Sequence, residues 1–176
     1  MAGTRCRTLA SSASSSPALG GARPAGSGLR YDPKSVHGAI GIHHLGIAVS
    51  DLDAAAAQYR LLIGAEVDHG QDSEALGTRA LALRTPQGPM IELVAPYAED
   101  TPVGRFITKR GEGMHHVAYE VADLAAEVAR LVAAGVEMID EEPRAGLFGL
   151  QVAFIHPDAV SGVLLELVQP GGKHHG

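Results

Sequence analysis

The chain has 176 residues, a formal net charge of −6 and 45% hydrophobic residues, which predicts one globular domain with a substantial core. The negative charge and the lack of a basic patch interleaved with aromatic residues argue against a nucleic-acid partner. No apolar segment has the length needed to cross a membrane. The single cysteine, Cys6, excludes an internal disulfide and fits a reducing compartment.

The N-terminal segment differs in composition from the rest of the chain. Residues 1–31 contain no Asp or Glu and consist mostly of Arg, Ser, Ala, Gly and Pro. Such a segment buries too little apolar surface to offset its ordering entropy, and its composition is also typical of an organelle transit peptide. We therefore predict that residues 1–37 are a disordered extension, a mis-assigned start or a transit peptide. The protein would be cytoplasmic if bacterial, or located in the mitochondrial matrix if the segment is a transit peptide.

The elements of the first half follow from hydrophobic periodicity and from residues that end helices. After a first strand, apolar residues recur at helical spacing in the segment DLDAAAAQYRLLIG. Ser50 or Asp51 is the predicted N-cap of this helix, and Gly64 ends it. Alternating apolar residues and a Pro-Gln-Gly turn then predict a hairpin. The predicted strands are 42–49, 65–68, 78–84 and 90–95.

The second half repeats this order of elements and many of its letters. The segment beginning HHLGIAVSDLDAAAAQYR is similar to HHVAYEVADLAAEVARLV, and MIELVAP is similar to LLELVQP. An internal repeat of this kind determines the fold class. We predict an α+β domain over residues 38–172, in which two βαβββ repeats (about 41–97 and 112–170) form a cup-shaped, mostly antiparallel eight-stranded sheet. The predicted elements of the second repeat are a strand over 113–121, a helix over 123–135, and strands over 136–140, 152–155 and 162–168.

Two pairs of adjacent histidines, His43-His44 and His115-His116, occupy matched positions in the two repeats. Neighbouring residues in a strand point to opposite faces of the sheet. The first histidine of the first pair shares a face with apolar residues that pack on the helix. The second histidine of each pair is therefore expected to point into the concave side.

Two glutamates, Glu92 and Glu166, interrupt apolar strands at matched positions in the two repeats. A carboxylate there is costly unless it is paired, protonated or bound to a metal. One such residue alone would more often be a surface or core residue, but recurrence in both repeats favours a metal site. Two imidazoles and two carboxylates suit one divalent ion, with Co, Zn, Ni, Mn, Mg or Fe(II) as candidates and open positions for a substrate. The predicted ligands are His44, Glu92, His116 and Glu166.

From about Ile42 to Pro170 the chain resembles the vicinal oxygen chelate (glyoxalase/bleomycin-resistance) superfamily, and within it the methylmalonyl-CoA epimerase family. The motifs are IHHLGIAVSDL, IELVAP, GEGMHHVAYEVADL, DEEPR, VAFIHP and GVLLEL. The resemblance places the metal ligands at the four residues named above. It implies proton transfer at the carbon alpha to a CoA thioester, through an enolate, with acid–base groups on both faces of that carbon.

The resemblance also suggests roles for further residues. Glu166 is the first acid–base candidate, as ligand and proton acceptor. Some relatives have a second Glu on the third strand, but Ala80 stands there in this chain. Glu120 is therefore the candidate for the second acid–base residue. The alternative is that Glu120 is a solvated charge at the end of its strand. The segment after DEEPR is bulkier than the family's glycine-rich stretch, so the acyl group need not be methylmalonyl. The predicted substrate-binding residues are Arg144, Gly146, Phe148 and Phe154.

Three other functions remain open at this level. A glyoxalase-type lyase or isomerase acting on a glutathione adduct would need the same four ligands. A dioxygenase is expected to use two histidines and one carboxylate, which Glu92 argues against. A non-enzymatic small-molecule-binding protein would need the cup but not the metal. For the epimerase, the expected partners are an acyl-CoA substrate and a second copy of the chain in a homodimer.

Overall fold

The computed structural model describes residues 38–171. The predictions made for residues 1–37 lie outside this range. Within it, no helix is long and apolar enough to cross a membrane. The elements are β1 (Ala39–Ala48), α1 (Leu52–Ile63), β2 (Glu66–Ser73), β3 (Thr78–Arg84), β4 (Met90–Pro96), α2 (Pro102–Arg110), β5 (Gly113–Val121), α3 (Leu124–Ala133), β6 (Arg144–Ala145), β7 (Gln151–Ile155) and β8 (Leu165–Gln169).

The eight strands form one curled half-barrel sheet in the order β2-β3-β4-β1-β5-β8-β7-β6. Strands β1 and β4 are parallel, as are β5 and β8, and the remaining neighbours are antiparallel. Each repeat therefore contributes four strands, and the repeats join through β1 and β5 at the centre. The predicted α+β class and the mostly antiparallel eight-stranded sheet are confirmed.

Both repeat helices begin at an aspartate. The Asp51 side chain accepts a hydrogen bond from the Ala54 N–H at 3.0 Å, and Asp123 accepts one from the Ala126 N–H at 2.9 Å. These caps satisfy backbone donors that have no partner inside a helix. Helix α1 ends at Gly64, whose φ of 68° is left-handed, as predicted.

Helix α2 was not predicted, and it lies between the two repeats. Thr101 caps it and Pro102 occupies its first turn, but Gly104 and β-branched residues weaken its helical pattern. Gly104 is needed because a Cβ there would lie 2.3 Å from the Ala98 carbonyl oxygen. Val103 packs against Ala48 on the concave face, so α2 closes one side of the cup.

The predicted strand over 136–140 is wrong. Only an isolated bridge joins Met138 to Ile155, and β6 lies further along the chain. The Asp140 carboxylate accepts hydrogen bonds from Arg144 Nε and the Phe154 N–H, both at 3.0 Å. Together with backbone bonds from the Ile139 and Asp140 N–H groups to the Phe154 carbonyl, they hold this segment against β7 without a regular strand ladder.

The largest apolar clusters lie between the sheet and the repeat helices. Leu52, Leu83 and Leu93 are buried in one cluster, and Leu124 and Val128 are buried in the other. The opposite, concave face bears small side chains at many positions, including Ala48, Ala80 and Ala118. Small side chains there leave room for a site inside the cup.

Candidate metal centre and active site

Four central strands each place one ligand-type residue on the concave face. His44 lies on β1, Glu92 on β4, His116 on β5 and Glu166 on β8. Gly46 pairs with both Glu92 and His116 in the ladders, which aligns these residues across the centre of the sheet. All four ligand-type residues are at most 7% exposed. Buried carboxylates and imidazoles of this kind require close partners.

Both glutamate side chains approach the two imidazoles. The Nε2 atoms of His44 and His116 are 3.0 Å apart. Glu166 Oε2 lies 3.2 Å and 3.1 Å from these two nitrogens, and Glu92 Oε2 lies 3.6 Å and 3.5 Å from them. The ligand atoms of His44, Glu92 and His116 all lie within 4.8 Å of one another.

These separations fit a divalent ion. Ligand atoms at about 2.1 Å from a common centre lie roughly 3.0 Å apart in adjacent octahedral positions and roughly 3.4 Å apart in a tetrahedron. The observed spacings between imidazole nitrogens and carboxylate oxygens cover this range. Two nitrogen and two oxygen donors also suit several divalent metals. These residues therefore fit a divalent metal ion, which the resemblance to the vicinal oxygen chelate superfamily implies.

Each predicted ligand histidine is held by the histidine before it. His43 and His44 share a hydrogen bond between their Nδ1 atoms at 2.9 Å, and His115 and His116 do the same. With Nε2 on a metal, Nδ1 of each ligand histidine would donate to its neighbour. His43 lines a cavity together with His44, beside a shift in the β1–β5 register between Ile42 and His44.

The charges of the cluster depend on each other. Burial disfavours the ionised form of His116 and of Glu166, but hydrogen bonds and opposite charges outweigh it. Contacts with Glu166 and Glu92 raise the pKa of His116 to about 9, and contacts with His116 and His44 lower the pKa of Glu166 to about 2. The metal-free protein therefore keeps a proton on His116 at neutral pH. A divalent ion must displace that proton to bind.

Gly46 is a structural requirement that sequence reasoning missed. A Cβ at this position would lie 2.0 Å from Cε1 of His116. The imidazole of His116 therefore lies directly over the Gly46 backbone, and any larger residue would displace it. Gly46 alternates with His44 and Ala48 on the concave face, and a glycine at such a strand position was the signal in the sequence for a close approach of another group.

Two cavities flank the cluster, and Glu92 and Leu150 line both. One cavity, of about 320 Å³, is also lined by Glu166 and by Arg144, Gly146 and Phe154. The other, of about 660 Å³, is lined by Phe148, His44 and residues of β2. All four predicted substrate-binding residues thus border a cavity beside the cluster. Glu120 lines neither cavity, and its catalytic role stays a prediction.

Arg144 and Phe148 are each held in a defined orientation. The Arg144 guanidinium lies over the Phe154 ring, 5.1 Å from its centroid, while its Nε donates to Asp140. Phe148 has a left-handed φ of 56°, and its N–H donates to Gln71 Oε1 at 2.6 Å. The second repeat thereby contacts β2 of the first across the cup.

The chain is a duplicated βαβββ half-barrel that buries two histidines and two glutamates at spacings suited to a metal ion. The chain belongs to the glyoxalase/bleomycin resistance protein/dioxygenase superfamily, whose family model matches residues 43–154.

Within this superfamily, the chain is similar to named epimerases. The ethylmalonyl-CoA/methylmalonyl-CoA epimerase of Cereibacter sphaeroides is 42% identical over 130 residues, covering 73% of this chain and 96% of that protein. The human mitochondrial methylmalonyl-CoA epimerase is 35% identical over 129 residues, 73% of each chain.

Solved structures show the same similarity. The crystal structure of methylmalonyl-CoA epimerase from Mycobacterium tuberculosis matches with a TM-score of 0.74 and 36% identity, covering 78% of this chain and 92% of that one. A methylmalonyl-CoA epimerase in complex with methylmalonyl-CoA and NH4+ matches with a TM-score of 0.73 and 37% identity, covering 77% and 97%.

Proposed function

We propose that this protein is a metal-dependent epimerase that interconverts (2R)- and (2S)-methylmalonyl-CoA, or a close acyl-CoA, by transfer of the alpha proton. The strongest support is the position of four buried side chains that lie close together and line two neighbouring cavities: His44, Glu92, His116 and Glu166. The similar proteins that bear the epimerase name fit the same reading.

His44, Glu92 and His116 would hold the divalent ion, with Glu166 as the fourth ligand. When bound, the ion would supply positive charge where the thioester oxygen becomes negative during proton removal. An N2O2 donor set does not select one divalent metal by itself, so cobalt is the ion that we propose to test first, before Zn, Ni, Mn and Mg. Metal content of protein purified without added metal tests this choice.

The residues of the chain would perform the proton transfer and hold the substrate. Glu166 lines the smaller cavity and keeps a low pKa, because its contacts with the two histidines outweigh burial. We propose that it accepts the alpha proton on one face of the substrate carbon. Arg144, beside it, would pair with the free carboxylate or a phosphate, and Phe154 would pack against the acyl group.

The test is deuterium incorporation at the alpha carbon in heavy water. Purified protein with added Co(II) is incubated with each methylmalonyl-CoA enantiomer, beside a chelated control. We expect metal-dependent exchange accompanied by inversion. A protein that binds metal stoichiometrically but exchanges neither enantiomer would contradict the proposal. A glutathione-hemithioacetal assay would then test the glyoxalase-type alternative, which uses the same ligands.

We also propose that the protein is a homodimer that acts in the cytoplasm if it is bacterial, or in the mitochondrial matrix if residues 1–37 are a transit peptide. Ile40 and Ile42, at the start of the central strand β1, are 66% and 47% exposed, and apolar residues of this kind favour association. Light scattering coupled to size-exclusion chromatography measures the oligomeric state directly.

A further inference from the structure

The proposed epimerisation requires a second acid–base group opposite Glu166, and β3 does not provide one. The β3 residues that pair with the ligand-bearing region are small: Ala80 pairs with Val94, and Ala82 pairs with Glu92. Both alanines are at most 2% exposed. The missing group must therefore come from another element that borders the cup.

His69 lies on the concave face beside the cluster. In the ladders, His69 pairs with Ala82, Ala82 with Glu92, and Glu92 with Gly46. Residues paired in this way have side chains on one face, so His69 and Glu92 share the face that His116 also occupies. The strands are about 4.8 Å apart, so the His69 and Glu92 backbones are separated by about 10 Å, enough for a bound acyl group.

A β-bulge directs this part of β2 toward the cup. The β2–β3 register shifts between Val67 and His69, which leaves Asp68 as the extra residue. Bulges commonly re-aim a side chain beside an active site. Both Asp68 and His69 line the larger cavity together with His44 and Glu92.

The contacts of His69 leave one ring nitrogen available. Its Nδ1 lies 2.9 Å from Asp68 Oδ2, and Asp68 is also paired with Arg84. The His69 ring packs edge-on against Phe148, with centroids 4.4 Å apart. Among residues 38–171, Nε2 of His69 has no hydrogen-bond partner, so an Asp–His pair faces the cavity with a free nitrogen.

The other titratable residues lining this cavity are already engaged. His44 and Glu92 belong to the metal cluster, His43 is bonded to His44, and Asp68 is bonded to His69 and Arg84. Glu166 lines the opposite cavity. The smaller cavity is thus lined by the acid–base candidate Glu166 and the larger one by His69, with the proposed metal site between them.

We propose that His69, oriented by Asp68, is the second acid–base residue of the epimerase, acting on the substrate face opposite Glu166; this inference rests on the proposed function. In one direction, the Glu166 carboxylate takes the alpha proton and the C–H electron pair moves into the enolate. The His69 imidazolium then donates its Nε2 proton to the other face of the same carbon. Glu166 ends with one proton more and His69 with one fewer, and the reverse reaction or solvent exchange restores both.

The test compares exchange with inversion in the His69→Gln variant, using Co(II)-loaded full-length protein and each methylmalonyl-CoA enantiomer in heavy water. We expect inversion to fall by roughly 100-fold or more. Deuterium exchange should persist for the enantiomer whose proton faces Glu166 and be lost for the other, with metal stoichiometry unchanged. Asp68→Asn should reduce inversion less, because it removes only the orienting group.

His156→Gln is the matched control, because His156 lines neither of the two cavities and should invert the substrate at the wild-type rate. Wild-type inversion by His69→Gln would overturn the inference, as would equal loss of exchange for both enantiomers. Absence of metal-dependent exchange in the wild-type protein would overturn the proposed function and this inference together. A variant that has lost its metal would show a structural role and would also overturn the inference.

Discussion

The Nε2 atoms of His44 and His116 lie 3.0 Å apart although 72 residues separate them in the chain. This approach depends on the antiparallel pairing of β1 and β5 at the centre of the sheet, where Gly46 lies opposite His116. The absence of a side chain at Gly46 lets the imidazole lie flat over β1. The lack of a side chain at Gly46 therefore sets how closely the two imidazoles can approach each other.

Gly46→Ala should weaken metal binding without unfolding the protein. The added Cβ would lie 2.0 Å from Cε1 of His116, so the ring must move and its nitrogen would leave the cluster. We expect metal affinity to fall by roughly 10-fold or more, as for loss of a group that orients a ligand. Isothermal titration with Co(II) measures the change.

Gly41→Ala is the matched control for this variant. Gly41 lies on the same strand, and a Cβ there would meet nothing within 4 Å. Its metal affinity should equal that of the wild type. Equal affinities of the Gly46→Ala and Gly41→Ala variants would show that the position of the His116 ring does not limit metal binding.

The stability of the metal-free protein should fall as the pH rises from 6.5 to 9. Contacts with Glu166 and Glu92 outweigh burial and raise the pKa of His116 from 6.5 to about 9, so its contribution is complete below pH 6.5 and is lost above it. The lowered pKa of Glu166, about 2, gives a contribution that is lost only as the pH falls below 4.5. The chelated protein should therefore be most stable between about pH 4.5 and 6.5.

Metal should reverse this trend, because it binds the deprotonated imidazoles. The difference in Tm between Co(II)-loaded and chelated protein should widen from pH 6 to pH 9, as measured by differential scanning fluorimetry. In the His116→Gln variant, the chelated protein should lose less stability over that range. An identical pH slope in the variant and the wild type would refute the assignment of the proton to His116.

The sequence predicted the elements that have a regular apolar pattern or a clear cap. Strand β3 and strand β5 have the predicted bounds, and Asp51 and Asp123 are the helix caps. Strand β2 extends beyond its predicted end at residue 68 to Ser73 because it is a polar edge strand with no alternation to reveal it. Helix α2 was missed because its stability comes from packing against the cup rather than from its own pattern.

The candidate site was only partly predictable. The four ligand-type residues repeat in the sequence, and this symmetry identified them before the fold was known. This symmetry did not reveal the roles of Gly46, His43 and His69, because those roles depend on cross-strand register and on bulges. The direction of a side chain next to a bulge cannot be read from period-two alternation.

Glu166→Gln should abolish inversion while preserving the fold. The amide keeps the size of the side chain and can still contact His44 and His116, but it cannot accept a proton. We expect epimerisation to fall by roughly 100- to 10,000-fold, with exchange lost for the enantiomer that His69→Gln retains. Glu66→Gln, at a side chain that is 61% exposed, should have wild-type activity. A Glu166→Gln enzyme that still inverts its substrate would remove Glu166 from proton transfer.

Phe148→Ala should shift the preference toward longer acyl groups. The Phe148 ring lines the larger cavity and packs against His69, so its removal enlarges the space beside the alpha carbon. One additional methylene in a pocket changes discrimination by roughly 10-fold. We expect the ratio of kcat/KM for ethylmalonyl-CoA to that for methylmalonyl-CoA to rise by about this factor.

Two further variants make the measurement of this preference decisive. Phe148→Leu should give an intermediate ratio, because a leucine fills part of the space that the ring occupies. Tyr97→Ala, at an exposed aromatic residue that lines neither cavity, should leave the ratio unchanged. The absolute rate can fall in Phe148→Ala, since the ring also positions His69, so the ratio of the two substrates is the readout. A ratio equal to the wild-type value would show that the acyl group lies away from Phe148, against the smaller cavity beside Phe154.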